Sequence, residues 1–305
     1  MSIPFFKNDE FNYDIDDVVA QLRTLRLKSL ESRNREGKPP RLPSRKVLSE
    51  VVSQLSTVLY PNRLGTVERS DEGIDYFVGH TLDTALTALF EQIRRECRFK
   101  AEQNGNAEIN CCQLASDINR QFAARLPAIR TLLDSDLVAA YEGDPAATSL
   151  DEVLVCYPGM IAIIYHRIAH ELYLLGVPLV ARIVAEISHS ATGIDIHPGA
   201  KIGASFFIDH GTGVVVGETA IIGQRVRIYQ AVTLGAKRFP KEEDGSLVKG
   251  NERHPIVEDD VVIYAGATIL GRIVIGHGST IGGNVWLTHS VPPNSVVSQS
   301  QAHSE

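Results

Sequence analysis

Up to about residue 192, apolar side chains recur at steps of three and four, the spacing that gathers them on one face of an α-helix. The clearest stretch is Ile161, Ile164, Ile168, Leu172 and Leu175. Ser149-Leu150-Asp151-Glu152 has the form of a capping box, which satisfies free backbone N–H groups and marks a helix start. Residues 32–45 interrupt the pattern with Pro39, Pro40 and Pro43 among basic side chains. Prolines remove backbone donors and the charges stay solvated, so this stretch reads as a linker rather than as a grip for an acidic partner.

From Ile196 the period changes to six. Aliphatic residues stand at Ile196, Ile202 and Ile208, then after a two-residue insertion at Val216, Ile222, Ile228 and Leu234. They resume at Val257, Ile263, Ile269, Ile275, Ile281 and Leu287. Four residues after each aliphatic comes a second, mostly small or apolar position, as at Ala200, Thr212, Ala220, Val232, Val261, Ala267, Ser279 and Val285. A fixed repeat of this kind outranks any single residue as a fold signal. It predicts an α+β chain: an α-helical domain over 1–192, a parallel β-helix over 193–297 with residues 235–255 protruding as a loop, and a polar tail over 298–305.

Charge and composition then narrow the function. A net charge of −7 over 305 residues argues against nucleic acid as a partner, because neutralising phosphates needs a clustered basic surface. The longest apolar run, Val153 to Tyr165, is broken by Pro158 and Gly159 and falls short of the roughly 20 residues of a bilayer span. The N-terminus lacks the basic and apolar segments of a secretory signal. A cytoplasmic protein is expected, with no membrane partner. Cys97, Cys111, Cys112 and Cys156 show no zinc-site spacing and read as reduced, buried thiols on helices. His166 and His170 stand four apart like zinc ligands, but Arg167 occupies the place of the glutamate in a metalloprotease helix, so packing is expected and no metal.

The hexad string resembles the hexapeptide-repeat acyltransferases, whose fold is a triangular, left-handed parallel β-helix with three hexads per coil. Within that group, Asp195-Ile196-His197-Pro198, the run from Asp209-His210 to Gly217-Glu218, Gln230-Ala231-Val232-Thr233-Leu234-Gly235 and Arg253-His254-Pro255 are similar in order and spacing to the serine acetyltransferase family. Asp144-Pro145-Ala146 and Arg167-Ile168-Ala169-His170 resemble that family's helical half. The likeness covers roughly residues 130 to 297, and the first hundred or so form a less familiar extension.

The resemblance implies transfer of acetyl from acetyl-CoA, a cosubstrate rather than a resident cofactor, to the hydroxyl of L-serine. An alcohol must lose its proton as it attacks a thioester, and an imidazole is suited to take it. The matching base is His210, held by Asp195 one coil away; His254 is the second candidate and otherwise a binding group. Asp144, Asp209, Arg253 and His254 are implied around the serine, the guanidinium for its carboxylate and the aspartates for its ammonium. Gly235, Ala236, Ala265 and Gly283 match the pantetheine groove, although small residues are also what hexad turns demand. Lys237, Arg238, Lys241 and Lys249 are loop cations within reach of nucleotide phosphates or simply solvated. Glu218 and Gln230 are as readily turn or interface residues as catalytic ones.

By the same resemblance the chain forms a homotrimer, with a dimer of trimers as a further step, and L-cysteine inhibits by taking the serine site. Relatives bind O-acetylserine sulfhydrylase through a C-terminal isoleucine; the sequence here ends Gln-Ala-His-Ser-Glu, which argues against that complex. Other readings are an O-acetyltransferase for homoserine, a sugar or an antibiotic, a β-helical zinc hydratase, or a non-catalytic scaffold. His210, His254, His277 and His289 lack the close ligand pair of the hydratase, and a scaffold leaves Asp144 and Arg167 unexplained.

Overall fold

The computed structural model describes residues 14–31, 41–65, 71–105, 109–238, 242, 244–248 and 250–299. Most of the expected linker (32–40), Lys241, Lys249 and the tail beyond 299 lie outside the described residues. Contacts divide the chain into two compact units, Met1–Arg41 and Leu42–Glu305. The first contains α1 (Ile15–Glu31), which begins with Asp16 and Asp17 and ends with Lys28, complementing the helix dipole. It buries no residue, and Ile15, Val18, Val19, Leu22 and Leu25 are exposed.

The second unit opens with α2 (Arg45–Leu59), α3 (Pro61–Leu64), α4 (Asp71–Gln103), α5 (Cys111–Gly143), α6 (Leu150–Cys156), α7 (Pro158–Leu174) and α8 (Pro178–Thr192). The local chemistry sets these bounds. Ser149 caps α6 by accepting from Glu152 N at 3.1 Å, as its sequence form predicts. Pro158 ends one helix and begins the next, because its missing N–H is an orphan donor at a first turn anyway. Gly193, at φ 71°, closes α8 in the left-handed conformation and turns the chain into the β region.

The β region climbs in coils. The first is β1 (Asp195–Ile196), β2 (Lys201–Ile202) and β3 (Phe207–Ile208); the second is β4 (Val215–Val216), β5 (Ile221–Ile222) and β6 (Arg227–Ile228). The third is β7 (Thr233–Gly235), β8 (Ile256–Val257) and β9 (Val262–Ile263), with the loop thrown out between β7 and β8. The fourth is β10 (Thr268–Leu270), β11 (Val274–Ile275) and β12 (Thr280–Ile281), and β13 (Trp286–Leu287) and β14 (Val296–Val297) finish the rod. Strands stack in parallel on three faces: β1, β4, β7, β10, β13 on the first; β2, β5, β8, β11 on the second; β3, β6, β9, β12, β14 on the third. This is the parallel β-helix that the repeat predicts, left-handed as the family resemblance implies.

Each hexad aliphatic is the inward residue of a strand, and all but Ile202 are fully buried. The second position behaves as expected with one exception. Thr212 is exposed, and Val214 takes the interior place instead. The two-residue insertion explains it, because counting four from Ile208 ends on the bulge formed by Gly211, Thr212 and Gly213. The insertion also lengthens the first coil to twenty residues, so Asp195 lies below Val215. The next step is eighteen, from Val215 to Thr233.

The helices and the rod share a core across residue 192. Arg167 is the main rivet. It donates from Nε and Nη2 to the two carboxylate oxygens of Asp136 at 2.9 and 2.8 Å, and to the carbonyls of Ile202 and Gly203 at 2.8 and 2.7 Å. Asp136 also accepts from Phe206 N at 2.9 Å. Both partners are buried, and every polar atom facing inward has a mate, which is what makes a buried ion pair tolerable. His166 packs tilted against His170, whose Nδ1 meets the Pro198 carbonyl at 2.8 Å. Cys97 is buried, and desolvation pushes its thiol up to about 11; Cys112 and Cys156 are exposed, contrary to the expectation of buried thiols. Among the described residues no single helix is long and apolar enough to cross a membrane.

Candidate active site

Two clusters of polar side chains stand on adjoining edges of the prism, one at each side of the first face.

The first gathers where β3 leaves the third face. His210 sits in the left-handed region at φ 57°, as do Ser205, Arg225, Ala231, Asp260, Asn284 and Asn294 at other corners. The conformation therefore belongs to the repeat and not to catalysis alone. It projects an exposed imidazole whose Nδ1 is 3.6 Å from Asp209 Oδ1, an ion-pair distance rather than a hydrogen bond. Asp144, the residue that ends α5, faces the same corner. Its carboxylate accepts from the Tyr157 hydroxyl at 2.6 Å and from Ala146 N at 2.8 Å. Those two hydrogen bonds hold its carboxyl below the usual range, and the same bond, more than burial, raises the Tyr157 phenol to about 12. The approach depends on Gly159: any Cβ there would overlap the Ile208 carbonyl oxygen, so only glycine lets the start of α7 rest on the strand that delivers Asp209 and His210.

The expected Asp195–His210 pair is not made. Asp195 makes no hydrogen bond or ion pair with His210; its carboxylate lies instead within 4.8 Å of ligand atoms of Glu186 and His189. The twenty-residue first coil is the reason, since the strand residue above Asp195 is Val215, five positions past the imidazole. Gln230, one coil above His210 in register, has its amide oxygen buried without a partner among the described residues.

The second cluster forms between the first and second faces, where the chain leaves β4 and where the loop returns to β8. Arg253 Nη2 donates to Glu218 Oε2 at 2.7 Å, and Tyr173 Oη donates to Glu218 Oε1 at 3.1 Å. The Arg253 bond, against the cost of burial, lowers the Glu218 carboxyl. His254 is buried, and its Nδ1 faces Thr219 N at 3.0 Å and Thr219 Oγ1 at 2.9 Å. Burial first, then the neighbouring Arg253 charge, depresses the His254 imidazole to about 4. His197 lies nearby, accepting from Gly199 N at 3.0 Å and meeting the Tyr173 ring edge-on.

Beside this cluster opens a cleft of ≈ 860 Å³ lined by Lys237, Arg238, Arg253 and Arg272 among others. Gly235 and Ala236 stand at its edge of the prism, whereas Ala265 and Gly283 stack on each other at the edge that carries His210. The residues expected for each substrate are thus shared between two edges, and one chain does not bring them together. Sequence reasoning missed Tyr157, Tyr173 and Thr219. Tyr157 had a signal, its place at the break before Pro158; the other two act across long separations.

The fold and these two clusters define a hexapeptide-repeat transferase, and residues 254–289 match the family described as "Bacterial transferase hexapeptide (six repeats)". A protein of Synechococcus elongatus named "Serine acetyltransferase, plasmid" is 61% identical over 267 residues, 87% of this chain and 84% of that one. Among solved structures, serine acetyltransferase 1 of Entamoeba histolytica in complex with L-cysteine is 40% identical with a TM-score of 0.70, covering 82% of this chain and 86% of that one. Soybean serine acetyltransferase complexed with serine is 30% identical with a TM-score of 0.52, covering 83% of this chain and 96% of that one. The chain belongs to the serine acetyltransferase family.

Proposed function

We infer that the chain transfers the acetyl group of acetyl-CoA to the hydroxyl of L-serine, giving O-acetyl-L-serine and CoA. The observation that carries the reading is the pair of half-sites: an exposed imidazole among carboxylates on one edge, and a buried imidazole beside a guanidinium on the next. An amino acid carries both charges, and each half-site answers one of them. Asp144 and Asp209 suit its ammonium, and Arg253 its carboxylate.

His210 takes the hydroxyl proton as the serine oxygen attacks the thioester carbonyl. Asp209, facing Nδ1, favours the tautomer that leaves Nε2 free to accept. The new C–O bond forms, the C–S bond breaks, and the imidazolium returns its proton to the departing thiolate. His254 is not the base: the backbone N–H of Thr219 donates to its Nδ1, so its Nε2 carries the hydrogen and donates to the acceptor substrate.

Joining the half-sites calls for a second copy laid against the rod, and three such copies close a ring, which is the homotrimer. The same contact unites Gly235 and Ala236 of one chain with Ala265 and Gly283 of the next along the pantetheine arm, with Lys237 and Arg238 near the nucleotide phosphates. Serine and cysteine share ammonium and carboxylate groups, and the relatives complexed with each support cysteine competing for the serine site. Four free cysteines fit a reducing compartment, the cytoplasm.

The test is thiol release from acetyl-CoA with L-serine, with homoserine and with no acceptor. His210→Ala should lose on the order of 10²–10⁴ in rate with serine. A preference for homoserine would overturn the substrate, and a full-rate His210→Ala would overturn the base. Asp195→Asn beside Asp209→Asn tells which carboxylate orients the ring.

A further inference from the structure

The turn Gly217–Glu218–Thr219 touches both residues of the second half-site through side chains 34 or 35 positions apart in sequence. Thr219 Oγ1 accepts from the backbone N–H of Arg253 at 2.9 Å and of His254 at 3.2 Å. With those donors arriving, its own proton points to His254 Nδ1, 2.9 Å away, and Thr219 N donates to the same atom at 3.0 Å. A nitrogen that accepts two hydrogen bonds carries no hydrogen of its own, so the imidazole proton sits on Nε2. Among the described residues Nε2 makes no hydrogen bond, and it is not among the sealed polar atoms, which leaves it open to a ligand.

The rest of the turn and its surroundings brace that arrangement. Gly217 has no side chain where the ring lies; a Cβ would be 2.6 Å from His254 Cγ and would overlap Cδ2 and Nε2. Arg272 Nη1 donates to the carbonyls of Thr219 at 2.7 Å and of His254 at 3.1 Å, so the two segments cannot slide apart without breaking both bonds.

We propose that Thr219 is a positioning residue for the acceptor substrate: its hydroxyl fixes His254 as a neutral Nε2–H donor and seats the Arg253–His254 backbone beside it. The proposal rests on the reading that His254 faces serine, and deepens it. The charged and titratable groups around the ring are Arg253, Glu218, His197 and Arg272. All are present in wild type and variants alike, so a change seen only on altering Thr219 belongs to its hydroxyl.

The experiment compares wild type, Thr219→Val and Thr219→Ser, using nitrogen NMR of ¹⁵N-histidine-labelled full-length protein and steady-state kinetics. His254→Gln identifies the signal. The wild type should show His254 as the Nε2–H tautomer. Thr219→Val keeps the backbone donor to Nδ1 and loses only the hydroxyl, so a mixture of the two tautomers should replace the single signature and the KM for serine should rise about tenfold, the equivalent of one hydrogen bond, with the KM for acetyl-CoA unchanged. Thr219→Ser should restore both. An Nδ1–H tautomer in wild type, an unchanged serine KM in Thr219→Val, or no rescue by serine overturns the proposal. Should the acceptor prove to be another molecule, the tautomer results still decide the role of Thr219, and the acceptor comparison alone decides the substrate.

Discussion

Gly217→Ala is the smallest change that separates the second half-site from the fold. The added methyl would overlap His254 Cδ2 and Nε2 and stand 2.6 Å from Cγ, whereas ordinary contact begins at 3.4 Å, so the ring has to retreat by about 1 Å or more. Retreat stretches the Nδ1 contacts to Thr219, now 2.9 and 3.0 Å, beyond useful hydrogen-bond length. A reacting geometry displaced by about 1 Å costs on the order of 10²-fold in kcat/KM. The backbone at Gly217 needs no left-handed conformation, so the strand register should survive. The assay is thiol release at varied serine, with circular dichroism and denaturant unfolding as the check on the fold. Gly79→Ala, in α4 with nothing within 4 Å of its Cβ, is the matched control and should leave the rate unchanged. A folded Gly217→Ala enzyme with the wild-type kcat/KM for serine would refute the reasoning.

Arg167→Ala should destabilise the second unit by about 3–5 kcal/mol in denaturant unfolding, since it strands the buried Asp136 carboxylate and two carbonyls. A loss below 1 kcal/mol would mean that water reaches the pair. Stability should also fall in acid through His254. Its imidazole titrates at about 4 in the folded chain and near 6.5 when unfolded, so the unfolded state takes the extra proton between those values. The contribution is whole above pH 6.5 and disappears toward pH 4, by at most about 3 kcal/mol, and His254→Gln should flatten that part of the profile. L-cysteine should raise the apparent KM for serine without lowering the limiting rate; a rate untouched at tenfold excess of cysteine contradicts a shared site.

How much of this is legible in the sequence depends on the distance over which each feature is set. The hexads are local: every aliphatic from Ile196 to Leu287 fills the same interior place, so counting by six recovers the strands without knowledge of the rest. Thr212 and Asp195 mislead for one shared cause, because an insertion of two residues shifts phase locally and lengthens the coil that contains it. Arg167 is visible as a residue type in family spacing, but its partner Asp136 is not, since that pairing is fixed only when α5 packs on α7. Thr219 is hidden most deeply. Its work is done on a histidine that returns from a long loop, and nothing in the intervening residues encodes that meeting.

The division of the half-sites between two edges of one rod has a consequence for inheritance. In the proposed trimer each reaction centre borrows an imidazole from one chain and a guanidinium from its neighbour. Two alleles, one broken at His210 and the other at Arg253, would each be silent alone. Expressed together they assemble mixed rings in which some junctions pair two intact halves, so a cell with both defects recovers part of what neither gene supplies.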